Sequence, residues 1–529
     1  MLRLSNVPVP LNYTEDSLRR LLLKKLGLRE EDLLSFSVSR RSVDAREKDR
    51  LHFVLSLDLC LKNEAAVLKK KKGLTPVPVL SVPSLPSARF SAPPLVVGAG
   101  PAGLFCALTL ARAGAAPVLI ERGKPVEERG KDVRRMEEEG RLDPESNVQF
   151  GEGGAGAFSD GKLTCGVKSP WLREVLETFV AHGAPEEILL DPKPHIGTDR
   201  LRGVVASLRR EILSLGGSVL FETRLERLLL EKGRAVGAVV ASRGETREIR
   251  AGAILLCVGH SARDTMEHLY HQGIRMARKP FAMGVRIEHP RALIDRAQYG
   301  AFAGHPRLGA ASYKLTCHTP DGRGVYTFCM CPGGQVIAAA SEPGGVVTNG
   351  MSLFARDREN SNAALLVGVR PEDFGGDTPL AGFEMQREIE RAAFRAGGGG
   401  FRAPAQRVED FLADRASVRF GDVRPSYRPG VVPADLRAVL PGFIAENLKS
   451  GIRAMDRQLR GFALPDAVLT GPETRSSSPV RLLRGENGMA EGLEGFYPVG
   501  EGAGYAGGIV SAAIDGISAA RKALDGVRP

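Results

Sequence analysis

The stretch "LVVGAGPAGLFCALTLARAGAAPVLIERG", residues 95–123, constrains the fold more than any other part of the chain. A short apolar run enters a glycine turn, a helix of small and apolar residues follows, and a second apolar run ends in an acid. Gly98 permits the tight turn, Gly100 lets backbone approach a pyrophosphate, and Gly103 lets helix and strand pack closely. Phosphates then sit at the positive N-terminus of the helix. Glu121, 21 residues beyond Gly100, ends the second strand, where a carboxylate can bind both hydroxyls of an adenosine ribose. The preceding strand, the small Ala107 in the helix and the spacing of the acid raise this above a bare GxGxxG match.

At 529 residues the chain is long enough for two or three domains and can bury a large ligand. A hydrophobic fraction of 43% and a charged fraction of 26% exclude fibrous and wholly disordered classes. Its 62 glycines carry no three-residue period, which excludes collagen and predicts many tight turns. The sequence holds no apolar run long enough to span a membrane, and "MLRLSNVPVP" lacks the layout of a signal peptide, so a soluble, cytoplasmic protein is expected. Seven scattered cysteines (Cys60, Cys106, Cys165, Cys257, Cys317, Cys329, Cys331) do not form a disulfide framework, in keeping with a reducing compartment. The net charge of +11 hints weakly at an anionic partner.

Along the chain, residues 1–75 form a small βαββα module. The helix "TEDSLRRLLLKKLG" is N-capped by Thr14, "LLSFSVS" and "LHFVLSLDL" alternate as strands, and "KNEAAVLKKKK" is a second helix. Residues 1–72 carry 16 Lys/Arg against 10 Asp/Glu. Lys69–Lys72 reads either as a solvated helix end complementing the macrodipole or as a contact surface for RNA or another polyanion. Residues 76–94 hold six prolines and predict an extended connector. Residues 95–270 then make the first part of a nucleotide-binding domain, with a helix over 200–216 and strands turning at Gly233 and Gly244. Residues 271–490 are a mixed insert that shapes a substrate pocket, and 491–529 return to the nucleotide-binding domain through a strand, an acid-bearing glycine turn and a helix.

A nucleotide motif near residue 100 and an acid-bearing glycine turn near residue 500 are explained together by a flavin. FAD is long enough to need one helix N-terminus at its pyrophosphate and a second region at its ribityl chain and ring. Glu501 is the candidate for the ribityl hydroxyls, with a helix-capping acid as the alternative. The helix starting near Gly507 and Gly508 aims its partial positive charge at the pyrimidine edge of the ring. This layout resembles the flavoproteins of the glutathione-reductase superfamily. More narrowly, "SNVQFGEGGAGAFSDGKL", "KPHIGTDRL", "PFAMGVRIEHP", "VYTFCMCPGG", "ETRSSSPVRLL" and "YPVGEGAGYAGGI" resemble a family of bacterial FAD-dependent dehydrogenases with a ferredoxin-like N-terminal domain. The resemblance implies an α/β fold: a Rossmann-like FAD-binding domain, an inserted mixed α+β substrate domain and a small ferredoxin-like α+β domain. It implies FAD as cofactor; the leading expectation for the reaction is hydride exchange between FAD and an organic small molecule, and because the chain has no second nucleotide fingerprint, NADH or NADPH, where it reduces the flavin, is expected to bind transiently. The residues expected at FAD are Gly98, Gly100, Pro101, Ala102, Gly103, Glu121, Arg122, Gly153, Gly154, Ser159, Asp160, Gly161, Lys162, Leu225, Gly259, Gly500, Glu501, Gly507, Gly508 and Ile509. One departure from the superfamily is Glu501 itself, where Asp is commoner.

Within "GEGGAGAFSDGKL" the glycines let backbone N–H groups face phosphate or flavin, while Asp160 and Lys162 are candidates for ribityl or ring atoms; a surface loop with a charge pair is the plainer alternative. For chemistry, the chain offers His195, ahead of a helix that Thr198 or Asp199 can cap, as a proton donor. Cys329 and Cys331 sit two apart in an apparent strand and so point to one face, either as a thiol site or as two buried small residues. No CxxC pair exists for an ordinary dithiol relay, and no companion Cys/His pair supports a metal site. Arg475 with Ser476–Ser478 reads as an anion-binding loop or a polar surface turn. Two further function classes remain open: flavin-dependent RNA modification using the basic module, and flavin binding without turnover.

Overall fold

Leu95–Val97, Val118–Ile120 and Ile254–Leu256 are short and apolar throughout, so they are stable as strands only where both faces are covered. In the computed structural model, which describes residues 1–78, 84–86 and 89–527, they lie side by side in a five-stranded parallel sheet. Ser218–Leu220 forms one edge and Phe496–Pro498 the other. The helix Pro101–Arg112 covers one face, and Ile509–Asp525 packs across that helix so closely that a Cβ at Gly516 would lie 2.2 Å from Ala102 O. An antiparallel meander, Thr223–Glu231, Arg234–Ser242 and Glu245–Arg250, covers the other face. Its turns fall at Gly233 and Gly244 as expected, each preceded by a residue that is also left-handed, the geometry of tight hairpins.

The chain leaves this body along Met276–Arg278 and comes back along Val480–Leu482, which pair antiparallel. Between them a seven-stranded sheet runs in the order Thr316–His318, Gly324–Cys331, Asn360–Val369, Phe281–Pro290, Val468–Glu473, Ala403–Arg407, Val431–Pro433, antiparallel except at the last pair. The helices Ala381–Ala396 and Gly442–Gln458 bury their apolar faces in its core. Together these parts form an α/β fold.

At the N-terminus, Leu33–Asp44, His52–Leu61, Leu2–Val9 and Leu74–Pro76 form an antiparallel sheet in that order, with helices Glu15–Leu26 and Glu64–Lys70, a ferredoxin-like βαββαβ arrangement. The expected βαββα pattern lacked its last strand because three residues, with only Leu74 buried, are too few to show alternation. Thr14 caps the first helix and exchanges hydrogen bonds with Ser17 in a capping box. The second helix ends at Lys70, so Lys71 and Lys72 lie beyond it. Part of the basic surplus is internally paired, Arg3 with Asp58, Arg46 with Asp44 and Arg29 with Asp32. The module is tied to the insert by Arg307, whose Nη1 donates to the carbonyls of Leu11 and Tyr13 at 2.7 and 2.8 Å. Residues 79–83 and 87–88 of the expected connector lie outside the described residues. Among the described residues no helix is long and apolar enough to cross a membrane.

Candidate active site

One cleft of about 640 Å³ runs from the glycine turn of the parallel sheet to the seven-stranded sheet. At its nucleotide end Gly98 has φ +99°, and a Cβ at Gly103 would stand 1.8 Å from Gly98 O. The close helix–strand packing read from the sequence is therefore literal. Glu121 lines the cleft, but its carboxylate is already engaged: it accepts from the backbone amides of Ala99 (2.8 Å), Gly123 (3.0 Å) and Gly151 (2.9 Å). A carboxylate has about four acceptor positions, so one remains for a ribose hydroxyl while three tie separate chain segments together. Arg122, also in the lining, pairs with Glu145 and Asp264 and lies 4.0 Å over the Phe150 ring.

The loop "GEGGAG" owes its shape to a residue that sequence reasoning missed. Arg129, fully buried in the helix Val126–Glu139, donates to the carbonyls of Asn147, Val148, Gly151, Glu152 and Gly154. Burial lowers its pKa to about 9, with Glu121 and Glu152 acting against that shift. Glu152 of the same loop accepts from Val126 N at 2.9 Å and so anchors the start of that helix. Arg129→Met should therefore leave these carbonyls without a donor, lowering stability by about 3 kcal/mol. It should also reduce the flavin-to-protein absorbance ratio of the purified protein; an unchanged ratio would show that the loop holds its form without Arg129.

After the loop, Asp160 and Lys162 part company. Asp160 is fully buried and clamped by Arg356, with contacts of 3.0 and 2.6 Å. Burial opposes its charge, but Lys162 and Arg356 more than offset this and hold the carboxyl below its ordinary value. Lys162 lies 3.7 Å from Asp160, and its buried Nζ has no hydrogen-bond partner although it lines the cleft. A second such atom is Nε2 of His260, whose Nδ1 is 3.1 Å from Glu501 Oε1. Sequence reasoning stopped at the neighbouring Gly259 and missed this histidine.

The wall formed by the seven-stranded sheet is organised by Arg286. Its buried guanidinium reaches Glu473 at 3.1 Å on one neighbouring strand, Asn362 on the other, and the carbonyl of Cys329 at 3.0 Å one strand further. Burial raises the Glu473 carboxyl to about 7, with Arg286 opposing and Cys329 adding to the rise. A carboxyl titrating there is poised to give or take a proton at neutral pH.

Several sequence expectations need correction. Cys329 and Cys331 do not share a face by strand alternation, since the pairing slips between Phe328 and Cys331 and Cys329 adopts φ +41°. The helix Thr198–Ser214 is capped by Gly197, not by Thr198 or Asp199: Thr198 Oγ1 donates to Ala157 O, and Asp199 accepts from Phe354 N. His195 is absent from the cleft lining; it stacks on Phe354 and its Nε2 lies 3.2 Å from Phe354 O. Arg475 lines the cleft and is neither a surface residue nor a free anion binder, because Glu390 and Ser341 hold its guanidinium. Ser478 turns inward to the carbonyls of Val480 and Gly502.

Of the residues expected at FAD, Gly98, Gly100, Pro101, Ala102, Glu121, Arg122, Gly154, Ser159, Asp160, Lys162, Leu225, Gly259, Glu501, Gly507, Gly508 and Ile509 line this one cleft. Gly103, Gly153, Gly161 and Gly500 stand behind the lining, where they let backbone pack or turn; Gly500 N, for instance, donates to Asp515 at 2.7 Å. The helices Pro101–Arg112 and Ile509–Asp525 both start at the cleft. A buried ring nitrogen of His260 without a hydrogen-bond partner, a cradle too tight for a Cβ and two helix N-termini fit a long dinucleotide carrying a diphosphate and a hydrogen-bonding ring.

The comparisons with known proteins agree. A family described as "FAD-dependent protein, C-terminal domain-like" matches residues 280–476, an FAD binding domain matches 94–128, and a domain of unknown function matches 1–60. An uncharacterised protein of Clostridium beijerinckii is 46% identical over 529 residues, covering 99% of this chain and 98% of its own. Among solved structures, a variant of E. coli quinol fumarate reductase FrdA is similar at 12% identity and a TM-score of 0.37, over 83% of this chain and 70% of that one. The 3-ketosteroid-delta4-(5alpha)-dehydrogenase of Rhodococcus jostii RHA1 is similar at 13% identity and a TM-score of 0.35, over 84% and 98%. With a relative this alike along its whole length, and with FAD matches at both halves of the cleft, the chain belongs to an uncharacterised family of FAD-dependent oxidoreductases.

Proposed function

We propose that the protein exchanges a hydride with a small organic substrate in the cleft, with NADH or NADPH docking transiently as reductant. The observation that carries this reading is the continuity of the cleft: the glycine turn and Glu121 line one end, while Glu473, Cys329 and Lys162 line the other. FAD held at the first end supplies the hydride chemistry. The chain's own residues bind, orient and move protons. The backbone N–H groups of Gly100 and Ala102 and the helix start at Gly508 would receive the diphosphate and the ring edge. Met330 and the ring of Tyr313 make a buried apolar wall of the cleft, and Glu473 holds or releases a proton at its carboxyl near neutrality. Lys193 and Lys314, both exposed and both in the lining, suit an anionic group on the substrate or on the nicotinamide cofactor.

An anaerobic absorbance titration with NADH and then NADPH, following the oxidised flavin band, tests the reading. One of the two should bleach the band completely at a stoichiometric addition. Bleaching by dithionite alone would remove the nicotinamide donor from the proposal and make the substrate itself the reductant.

A further inference from the structure

Cys329 stands where its strand breaks register, and a bulge of this kind re-aims a side chain. Its φ of +41° is a conformation that L side chains adopt rarely and at a cost, one that persists where the surroundings over-determine it. Arg286 does so by donating to Cys329 O at 3.0 Å, with Cys331 Sγ 3.7 Å away. As a result Cys329 lines the cleft and Cys331 is fully buried.

The groups facing Cys329 are Cys331, Lys162, Arg286, Asp160 and Glu473. Cys331, whose Sγ donates to Cys329 O at 3.2 Å, favours the Cys329 thiolate most; burial opposes it, and Lys162 and Arg286 add to it, holding the thiol well below its ordinary value. Cys331 is driven up in turn and keeps its proton. Asp160 opposes the thiolate, but its carboxylate is clamped by Arg356. Lys162 Nζ and Tyr313 Oη remain as buried polar atoms without hydrogen-bond partners, both on residues of the same cleft. A soft nucleophile, two donors without hydrogen-bond partners and a buried carboxylic acid thus share one pocket.

We propose that Cys329 is the nucleophile of the cleft and that the substrate is a conjugated carbonyl compound whose oxygen is received by Lys162 and Tyr313. This deepens, and rests on, the reading of the cleft as the reaction site. The thiolate forms an S–C bond to the β-carbon, the C=C π pair shifts to give an enolate, and the negative charge passes from sulfur to the oxygen. Glu473 then delivers its proton to the α-carbon and is left as a carboxylate. The step is redox-neutral and its reversal restores thiolate, acid and double bond. Conjugation is what joins the two halves of the site, because it carries charge from the carbon that sulfur attacks to an oxygen that those donors can hold.

N-Ethylmaleimide, itself a conjugated carbonyl, is the probe, applied to the FAD-loaded protein from about pH 4 to about pH 9, with adducts quantified for each cysteine by peptide mass spectrometry. Cys329 should react with a midpoint below neutrality and well below that of Cys317, whose thiol burial pushes up. Lys162→Met should raise the Cys329 midpoint by about 1 to 3 pH units and Lys162→Arg should restore it. Tyr313→Phe should leave the midpoint in place and slow the addition about a hundredfold. A Cys329 midpoint no lower than that of Cys317, or one unmoved by Lys162→Met, overturns the nucleophile, and an unslowed Tyr313→Phe overturns the oxygen site. Flavin absorbance of the same samples separates the two levels: wild-type protein that loads no flavin defeats the reading of the cleft, whereas flavin-loaded protein with an inert Cys329 defeats only this inference.

Discussion

Replacing Glu390 with alanine is expected to lower stability by about 4 kcal/mol at neutral pH. The carboxylate is 1% exposed and sits between two guanidiniums that are themselves buried: Arg263 at 2.7 and 3.0 Å, and Arg475 at 2.8 and 3.0 Å. Thr474 Oγ1 adds a bond of 2.6 Å. Without Glu390 both cations lose their close counter-ion, leaving Glu342 on Arg263 as a longer, half-buried contact of 3.1 Å. Breaking a buried pair from one side is costly because the surviving charge cannot return to water. The pH dependence has a definite sign. Burial pushes the Glu390 carboxyl up, and Arg263 and Arg475 more than offset this, so its folded value is depressed. Its contribution is therefore fully present above the unfolded carboxylate value of about 4.3 and is lost as pH falls through the folded one. Urea unfolding midpoints of wild type and variant should differ widely at pH 7, and the gap should begin to narrow only as pH falls below about 4. Equal midpoints at pH 7 would show that the network adds nothing net.

Gly103→Ala should be comparably damaging, by about 4 kcal/mol or more, and should yield protein without flavin. The added Cβ would meet Gly98 O at 1.8 Å and Gly98 C at 3.0 Å. Both are backbone atoms of the turn itself, so relief requires moving the turn off the strand. Gly203→Ala is the matched control: it lies within the helix Thr198–Ser214 with open space around it, and should stabilise by about 0.5 to 1 kcal/mol. Thermal unfolding and flavin content of the two variants give the comparison. A soluble, flavin-loaded Gly103→Ala protein would mean that the glycine is not required for the close packing.

What could be read from the sequence follows how local each signal is. The strand, turn and helix around Gly98–Gly103 are coded within a dozen residues, and so is the Thr14 cap, and both stand in the structure as read. Glu121 follows its strand directly and lines the cleft, yet its three amide partners come from positions as distant as Gly151. The partner of Asp160 is Arg356, 196 residues away, and nothing near either residue announces the pairing. Arg129 looked like one more charge in a helix rich in Glu and Arg; only the fold brings five carbonyls to it. The bulge at Cys329 was hidden because one extra residue in a strand leaves the apolar pattern intact while reversing the side that follows it.

The placement of Phe496–Pro498 and Ile509–Asp525 also sets a timetable for synthesis. They complete a sheet that begins at Leu95–Val97, and at about 5 to 20 residues per second the ribosome needs roughly 20 to 80 s to travel between the two. Throughout that interval the apolar helix Pro101–Arg112 exists without the helix that covers it. The nascent chain therefore passes through a long stage in which its N-terminal module has everything needed to fold while the dinucleotide core must wait. Yield in the cell should then be governed as much by chaperone holding and elongation speed as by the stability of the finished molecule.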